Sequence, residues 1–224
     1  MIFSVTLNRA WARATTRAAP LALIGLIAAG GCSTMLPAPT PETIITPEDY
    51  DAAAQSLATW TLQGRVAVNR DGQGWTASLR WGQQRDDYHI DLSGPFGQGA
   101  AQFEGNGEHM RAQLAGEEFV REGDPSELMY QVLGWDVPVA SLRYWVLGLA
   151  DPSQPAQRRW DEYGRPAALN QMGWTIEYTR HREDTVLPLP TRLAATRGEW
   201  RFKLIVDEWI DQSPQDDQSR TDAQ

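Results

Sequence analysis

The sequence predicts an α+β domain in which an antiparallel sheet carries helices on its apolar face. Three observations support this fold class. Apolar and polar residues alternate with a period of two in successive segments from Trp60 onward. Short turns rich in Gly and Asp separate these segments, as in an antiparallel meander. Two later segments, residues 124–134 and 138–152, have their apolar residues on one helical face, so each has a face to bury.

A short helix is predicted before the first strand. Glu48, Asp49 and Asp51 follow Pro47, and acidic residues are favoured by the dipole of a first helical turn. An alanine-rich stretch continues this helix toward Ala58. Because its apolar face is small, we expect it to lie at the edge of the domain.

Five strands with one apolar face are predicted next. Their apolar-face residues are Trp60, Leu62, Gly64, Val66 and Val68; Trp75, Ala77, Leu79 and Trp81; Tyr88, Ile90 and Leu92; Ala101 and Phe103; and Met110, Ala112 and Leu114. Turn signals at residues 71–72, 94–97 and 105–107 separate them. A further turn at Gly116 leads toward Phe119.

Two helices follow the strands. Asp124 is placed to cap the first, Pro125 occupies its first position and Gly134 ends it. The second helix is predicted to start at Pro138 and to end at Asp151. The apolar residues are Leu128, Met129, Val132 and Leu133 in the first helix and Leu142, Trp145, Val146 and Leu149 in the second.

The last part of the chain returns to strand patterns. Residues 153–173 show turn signals without clear periodicity, so no element is predicted there. Strands are predicted at residues 174–178, 187–193 and 200–209. The middle one contains Pro188 and Pro190, which favour an edge strand because proline cannot donate to a ladder.

The amino terminus predicts export. Arg9, Arg13 and Arg17 precede an uncharged apolar stretch at residues 18–31. That order is typical of a signal peptide, predicted here at residues 1–31. A retained membrane helix is the alternative, but the stretch is shorter than the roughly 20 residues that a spanning helix needs.

Cys32 is the only cysteine of the chain and follows Ala29-Gly30-Gly31. It cannot form an internal disulfide, so it is a free thiol, an intermolecular partner or a modification site. The tetrapeptide resembles the cleavage box of bacterial lipoproteins, which implies that Cys32 is lipidated. By the same resemblance, Ser33 indicates the outer membrane.

The remaining chain divides into three parts. Residues 32–47 are a proline-rich tether, residues 48–212 are one domain, and residues 213–224 are a tail predicted to be disordered. Removing the signal peptide leaves 17 basic and 29 acidic residues, a net charge of −12. So acidic a chain is not expected to bind nucleic acid or to attach electrostatically to anionic lipid.

No enzyme is predicted. His89, His109 and His181 are scattered along the chain, and no nucleophile elbow, phosphate-binding loop or HExxH motif occurs. Neither a metal site nor a cofactor is expected.

Four sequence blocks resemble the LolB family, outer-membrane receptors that accept lipoproteins from a periplasmic carrier. They are Leu62-Gln63-Gly64-Arg65, Gly94-Pro95-Phe96-Gly97, Tyr144-Trp145-Val146-Leu147-Gly148-Leu149 and Gln171-Met172-Gly173-Trp174-Thr175-Ile176-Glu177-Tyr178. The resemblance implies an incomplete antiparallel β-barrel closed by helices and enclosing an apolar cavity. It also implies a LolA-like carrier as partner, acylated lipoproteins as cargo, and a lipid-anchored monomer that faces the periplasm. A structural envelope lipoprotein with a filled core and no transfer activity is the alternative.

Two sets of site residues follow. Phe96, between Pro95 and Gly97, lies at the tip of a tight turn. It either folds back onto a neighbouring strand or contacts something outside the protein, and the resemblance implies that it assists delivery into the membrane. Each cavity candidate has ordinary core packing as its alternative. The candidates are Trp60, Leu62, Val66, Trp81, Ile90, Leu92, Leu142, Trp145, Val146, Trp174, Ile176 and Trp200.

Overall fold

The described part of the chain begins at the last residues before the first helix. The structure, a computed structural model, describes residues 44–94, 101–114, 117–122, 124–134, 136–183 and 185–213. The predicted signal peptide, Cys32 and the turn residues Pro95, Phe96 and Gly97 lie outside these ranges, as does the predicted tail after Ser213.

One sheet of eleven antiparallel strands forms the body of the described domain. The strands are β1 Thr59–Arg70, β2 Gln73–Gln84, β3 Asp87–Ser93, β4 Ala101–Gly105, β5 His109–Leu114, β6 Glu117–Glu122, β7 Ala156–Trp160, β8 Pro166–Gln171, β9 Trp174–His181, β10 Pro190–Arg197 and β11 Trp200–Ser213. Their order is β6-β5-β4-β3-β2-β1-β11-β10-β9-β8-β7. The predicted meander is therefore confirmed, and the chain's first and last strands pair at its centre. The sheet is not closed into a barrel, since β6 and β7 are its edges.

Three helices complete the described domain. They are α1 Pro47–Gln55, α2 Pro125–Leu133 and α3 Val139–Trp145. The predicted cap of α2 is confirmed, because the Asp124 carboxylate accepts a hydrogen bond from the Ser126 amide at 2.8 Å and Gly134 ends the helix with φ 71°. Helix α3 is shorter than predicted. Gly148, with φ 76°, follows it in a left-handed conformation that a helix cannot continue.

The hairpin of β7 and β8 was not predicted from the sequence. Strand β7 is a mostly exposed edge strand with Arg158 and Arg159 at its centre, so it lacks a clean alternation. The predicted edge position of the proline-containing strand is wrong, because β10 lies between β9 and β11. Pro190 is the first residue of β10, and the register with β9 is irregular from Pro190 to Leu193. A proline at the start of a strand removes no interior ladder bond.

The apolar face of the sheet lies under α2 and α3, as the one-sided helices predicted. Met129 of α2 and Trp145 of α3 belong to the same buried cluster as Trp81, Ile90 and Phe103 of the sheet. None of the helices in the described ranges combines the length and the apolar composition needed to cross a bilayer.

Candidate functional site

An apolar cavity of about 100 Å³ lies between the sheet and the segment of α2 and α3. Its lining comprises Val66, Leu79, Trp81, Ile90, Leu92, Met129, Val137, Leu142, Trp145, Val146, Trp174, Ile176, Leu193, Ala195, Phe202, Leu204 and Lys203. Lys203 is exposed on its strand and is the charged residue of this set. The cavity therefore offers an almost wholly apolar surface to an occupant.

Nine of the twelve predicted cavity candidates line this space. They are Val66, Trp81, Ile90, Leu92, Leu142, Trp145, Val146, Trp174 and Ile176. The other three pack beside it. The ring of Trp60 lies 5.2 Å from that of Trp81, centroid to centroid, Leu62 is fully buried, and Trp200 stacks on Phe202 at 5.8 Å.

Eight lining residues were missing from the predicted set: Leu79, Met129, Val137, Leu193, Ala195, Phe202, Lys203 and Leu204. The alternation along each strand shows which side chains face inward, and Met129 was already on the predicted apolar face of its helix. It does not show which inward side chains meet a gap. That depends on how α2 and α3 lie across the sheet.

The cavity is small for a fatty acyl chain, the occupant that the family resemblance implies. Dry cavities of about 150 Å³ hold a molecule the size of benzene. A volume of about 100 Å³ does not accommodate a fatty acyl chain. Binding such a chain therefore requires a wider cavity than the structure shows.

The end of α3 is held in place by the side chain of Gln171, which is 2% exposed. Its Oε1 accepts hydrogen bonds from Trp145 Nε1 at 2.8 Å and from the Asp151 amide at 3.0 Å. Its Nε2 donates to the carbonyl oxygens of Asp151 and Gln154, at 2.8 and 2.9 Å. One amide side chain thus joins α3 and the following turn to β8.

Two buried tyrosines hold the same region. Tyr178 donates to the carbonyl oxygen of Trp145 at 2.9 Å, and Tyr50 of α1 donates to that of Leu147 at 2.8 Å. Burial raises the pKa of both phenols well above the ordinary value of 10.0, because the charged form would lose its water.

These raised pKa values predict a stability that falls in alkali. Below pH 10 both folded and unfolded chains keep their phenolic protons, so the free energy of unfolding is insensitive to Tyr50 and Tyr178. Above pH 10 the unfolded chain releases protons that the folded chain retains. Each tyrosine then lowers the free energy of unfolding by up to about 1.4 kcal/mol per pH unit. Urea titrations between pH 8 and 11.5 measure this slope.

The variant Tyr178→Phe is the control for that slope. It loses the hydrogen bond to Trp145, so its stability is lower below pH 10, and its decline above pH 10 is expected to be shallower than that of the unaltered chain. Equal slopes in both proteins would contradict the assignment of the alkaline transition to Tyr178.

Two ion pairs with exposed partners also hold the segment of α2 and α3. Asp136, between α2 and α3, pairs with Arg197, whose Nη2 also donates to the Asp136 carbonyl oxygen at 3.2 Å. Arg143 of α3 pairs with Asp86 in the β2–β3 turn. Ion pairs with exposed partners contribute about 0–1 kcal/mol each. These two ion pairs therefore contribute less than the buried hydrogen bonds at the end of α3.

The register of the sheet shows toward which end β3 runs before residues 95–100. Arg70 of β1 pairs with Gln73 and Trp200, so the turns at 71–72 and 198–199 share one end of the sheet. Strand β3 runs toward that end before residues 95–100. Helix α1 and residues 44–46 instead precede Thr59, at the opposite end. Strand β3 thus runs toward one end of the sheet, and α1 precedes β1 at the other.

Comparison with known proteins gives the family. The family model described as "Outer membrane lipoprotein LolB" matches residues 58–209. The outer-membrane lipoprotein LolB of Nitrosococcus oceani is 33% identical over 84% of this chain and 94% of its own length. LolB of Chromohalobacter salexigens is 36% identical over 84% of this chain and 87% of its own length.

A solved structure shows the same fold. The crystal structure of a LolA superfamily protein from Nitrosomonas europaea matches with a TM-score of 0.51, covering 75% of this chain and 94% of that one, at 10% sequence identity. At this identity the match concerns the fold alone. The family model and the relatives of over 30% identity carry the assignment: the chain belongs to the LolB family of outer-membrane lipoproteins.

Proposed function

We propose that this protein accepts lipoproteins from a LolA-like periplasmic carrier, holds their acyl chains between its sheet and the α2–α3 segment, and releases them into the outer membrane. The LolB family receives lipoproteins and inserts them into that membrane, and members are lipid-anchored there. The observation that carries the proposal for this chain is the apolar cavity beneath a segment held partly by exposed contacts.

The transfer needs no covalent reaction. An acyl chain that passes from one apolar site to the next avoids the free-energy cost of exposure to water. Its direction follows from the difference in affinity between the carrier, this protein and the bilayer. Widening of the cavity costs packing contacts in the empty protein, and the acyl chain restores them when it enters.

The anchor fits this mechanism. Lipidation at Cys32 would add about 0.8 kcal/mol of membrane affinity per buried methylene, so several acyl chains would hold the protein permanently. The fifteen residues of 32–46 reach up to about 50 Å when extended. The twelve residues of β1 span about 40 Å. An extended tether is therefore long enough for the end of the sheet toward which β3 runs to meet the bilayer.

The test is a transfer assay with purified components. A soluble form beginning after Cys32 is mixed with the LolA-like carrier loaded with an acylated lipoprotein, and the cargo bound to each protein is measured after separation. We expect the cargo to move to the soluble form. A cargo that stays on the carrier would exclude the acceptor function and favour a structural envelope lipoprotein. Non-acylated cargo is the control, and it should bind neither protein.

A further inference from the structure

Three tryptophans line the cavity, and the structure supplies a hydrogen-bond acceptor for two of them. Trp81 Nε1 donates to Gln83 Oε1 at 3.1 Å, and Trp145 Nε1 donates to Gln171 Oε1 at 2.8 Å. Trp174 is 1% exposed, and its Nε1 has no acceptor among the described residues. Trp174 thus carries an unpaired buried donor on a side chain that lines the cavity.

The contacts of Trp174 explain why an aromatic ring lies there, but not why this ring carries an N–H group. Its ring packs 5.4 Å from Phe202 and 6.3 Å from Trp145, between centroids, and the guanidinium carbon of Arg197 lies 4.8 Å from the ring centroid. These contacts use the faces and edges of the aromatic ring. A phenylalanine ring would make contacts of the same kind without an unpaired buried donor, which costs free energy because it has lost water and gained no partner.

The expected occupant supplies the missing acceptor. A fatty acyl chain is apolar along its length, but its ester carbonyl oxygen accepts hydrogen bonds. In the structure the N–H is covered. On the proposed function the cavity widens when a chain enters, and widening beside β9 gives the chain access to this N–H.

We propose that Trp174 Nε1 donates a hydrogen bond to an ester carbonyl of the bound cargo, an inference that rests on the proposed function. The apolar remainder of the wall contacts hydrocarbon equally well at any position along the acyl chain. The Trp174 donor fixes how deeply the chain enters and favours acyl esters over alkyl chains of the same length.

The test compares two ligands that differ only in the carbonyls. The probes are an S-diacylglyceryl-cysteine lipopeptide with two palmitoyl esters and its analogue with two hexadecyl ethers. They are titrated into the whole mature chain carrying Cys32→Ser, with and without Trp174→Phe. We expect Trp174→Phe to bind the ester about three- to tenfold more weakly and the ether unchanged. Equal affinity for the ester, or an equal loss for both probes, would overturn the proposal.

A matched control and a second measurement separate this role from packing. Trp209→Phe removes an N–H that donates to the Pro190 carbonyl oxygen at 3.1 Å, outside the cavity lining. It should lower the urea midpoint and leave the ester-to-ether ratio unchanged, whereas Trp174→Phe should change the ratio without a comparable loss of stability.

The second measurement needs no substitution in the cavity. With the indole nitrogens labelled, the Trp174 N–H proton resonance should move downfield with the ester and not with the ether. The same response to both ligands would contradict the proposal. If the unaltered cavity binds neither lipopeptide, the proposed function is wrong and the inference falls with it; if it binds both alike in every protein, only the inference falls.

Discussion

Replacement of Gln171 by Leu is expected to lower the free energy of unfolding by about 4 kcal/mol or more, a large part of the 5–15 kcal/mol that stabilises most domains. The reason is the number of groups that this one side chain satisfies. Its loss leaves Trp145 Nε1 and three backbone groups of Asp151 and Gln154 without their partner. Each buried polar group left unpaired costs about 1–3 kcal/mol, partly relieved where water enters.

The neighbouring residue provides a matched control. Asn170 precedes Gln171 on β8, is exposed, and accepts a single hydrogen bond from the Thr175 hydroxyl at 2.8 Å. Asn170→Ala should change the free energy of unfolding by no more than about 0.5 kcal/mol. Urea denaturation followed by tryptophan fluorescence measures both variants. A Gln171→Leu protein as stable as Asn170→Ala would show that the buried amide does not hold the end of α3.

The substitution Phe96→Glu is expected to leave acceptance from the carrier intact and to reduce delivery into liposomes at least tenfold. Phe96 lies outside the described residues, so this prediction comes from its place in the Gly94-Pro95-Phe96-Gly97 turn. Aromatic rings are favoured at the headgroup level of a bilayer. A carboxylate in their place must remain in water, so the turn no longer enters the bilayer surface.

Delivery and acceptance are measured separately, the first as cargo recovered with floated liposomes and the second as cargo removed from the carrier. Gln98→Glu adds the same charge two residues further along the chain and keeps the ring, so it should deliver almost normally. Phe96→Leu keeps an apolar side chain and should retain most of the delivery. If Gln98→Glu were as defective as Phe96→Glu, the charge of the turn would matter and the ring would not.

The fold was largely predictable because its signals are local. Alternation from Trp60 onward requires only that one face of each strand be buried, and the cap at Asp124 and the stop at Gly134 are satisfied within a few residues. The failures have equally local causes. Strand β7 is exposed on an edge and shows no alternation. Pro188 precedes β10 and Pro190 is its first residue, so neither excludes the strand from the interior of the sheet.

The site was predicted less completely. Large apolar residues on the inward faces were identified, yet Trp60 packs against Trp81 and Trp209 beside the cavity rather than in its lining. Small residues such as Ala195 carry no sequence signal of a cavity. They line it because α2 and α3 leave a gap above them.

By itself, the sequence determined an antiparallel sheet, two one-sided helices and four blocks typical of the LolB family. It also predicted an export signal followed by a lone cysteine. Only the tertiary structure decided which buried side chains pack against one another and which border empty space. It also decided that Gln171 holds the end of α3 and that Trp174 keeps an unpaired donor. The physical reason is how far apart in the sequence the interacting residues lie. Alternation and capping depend on neighbours along the chain, whereas a cavity or an unpaired N–H depends on residues brought together from distant segments.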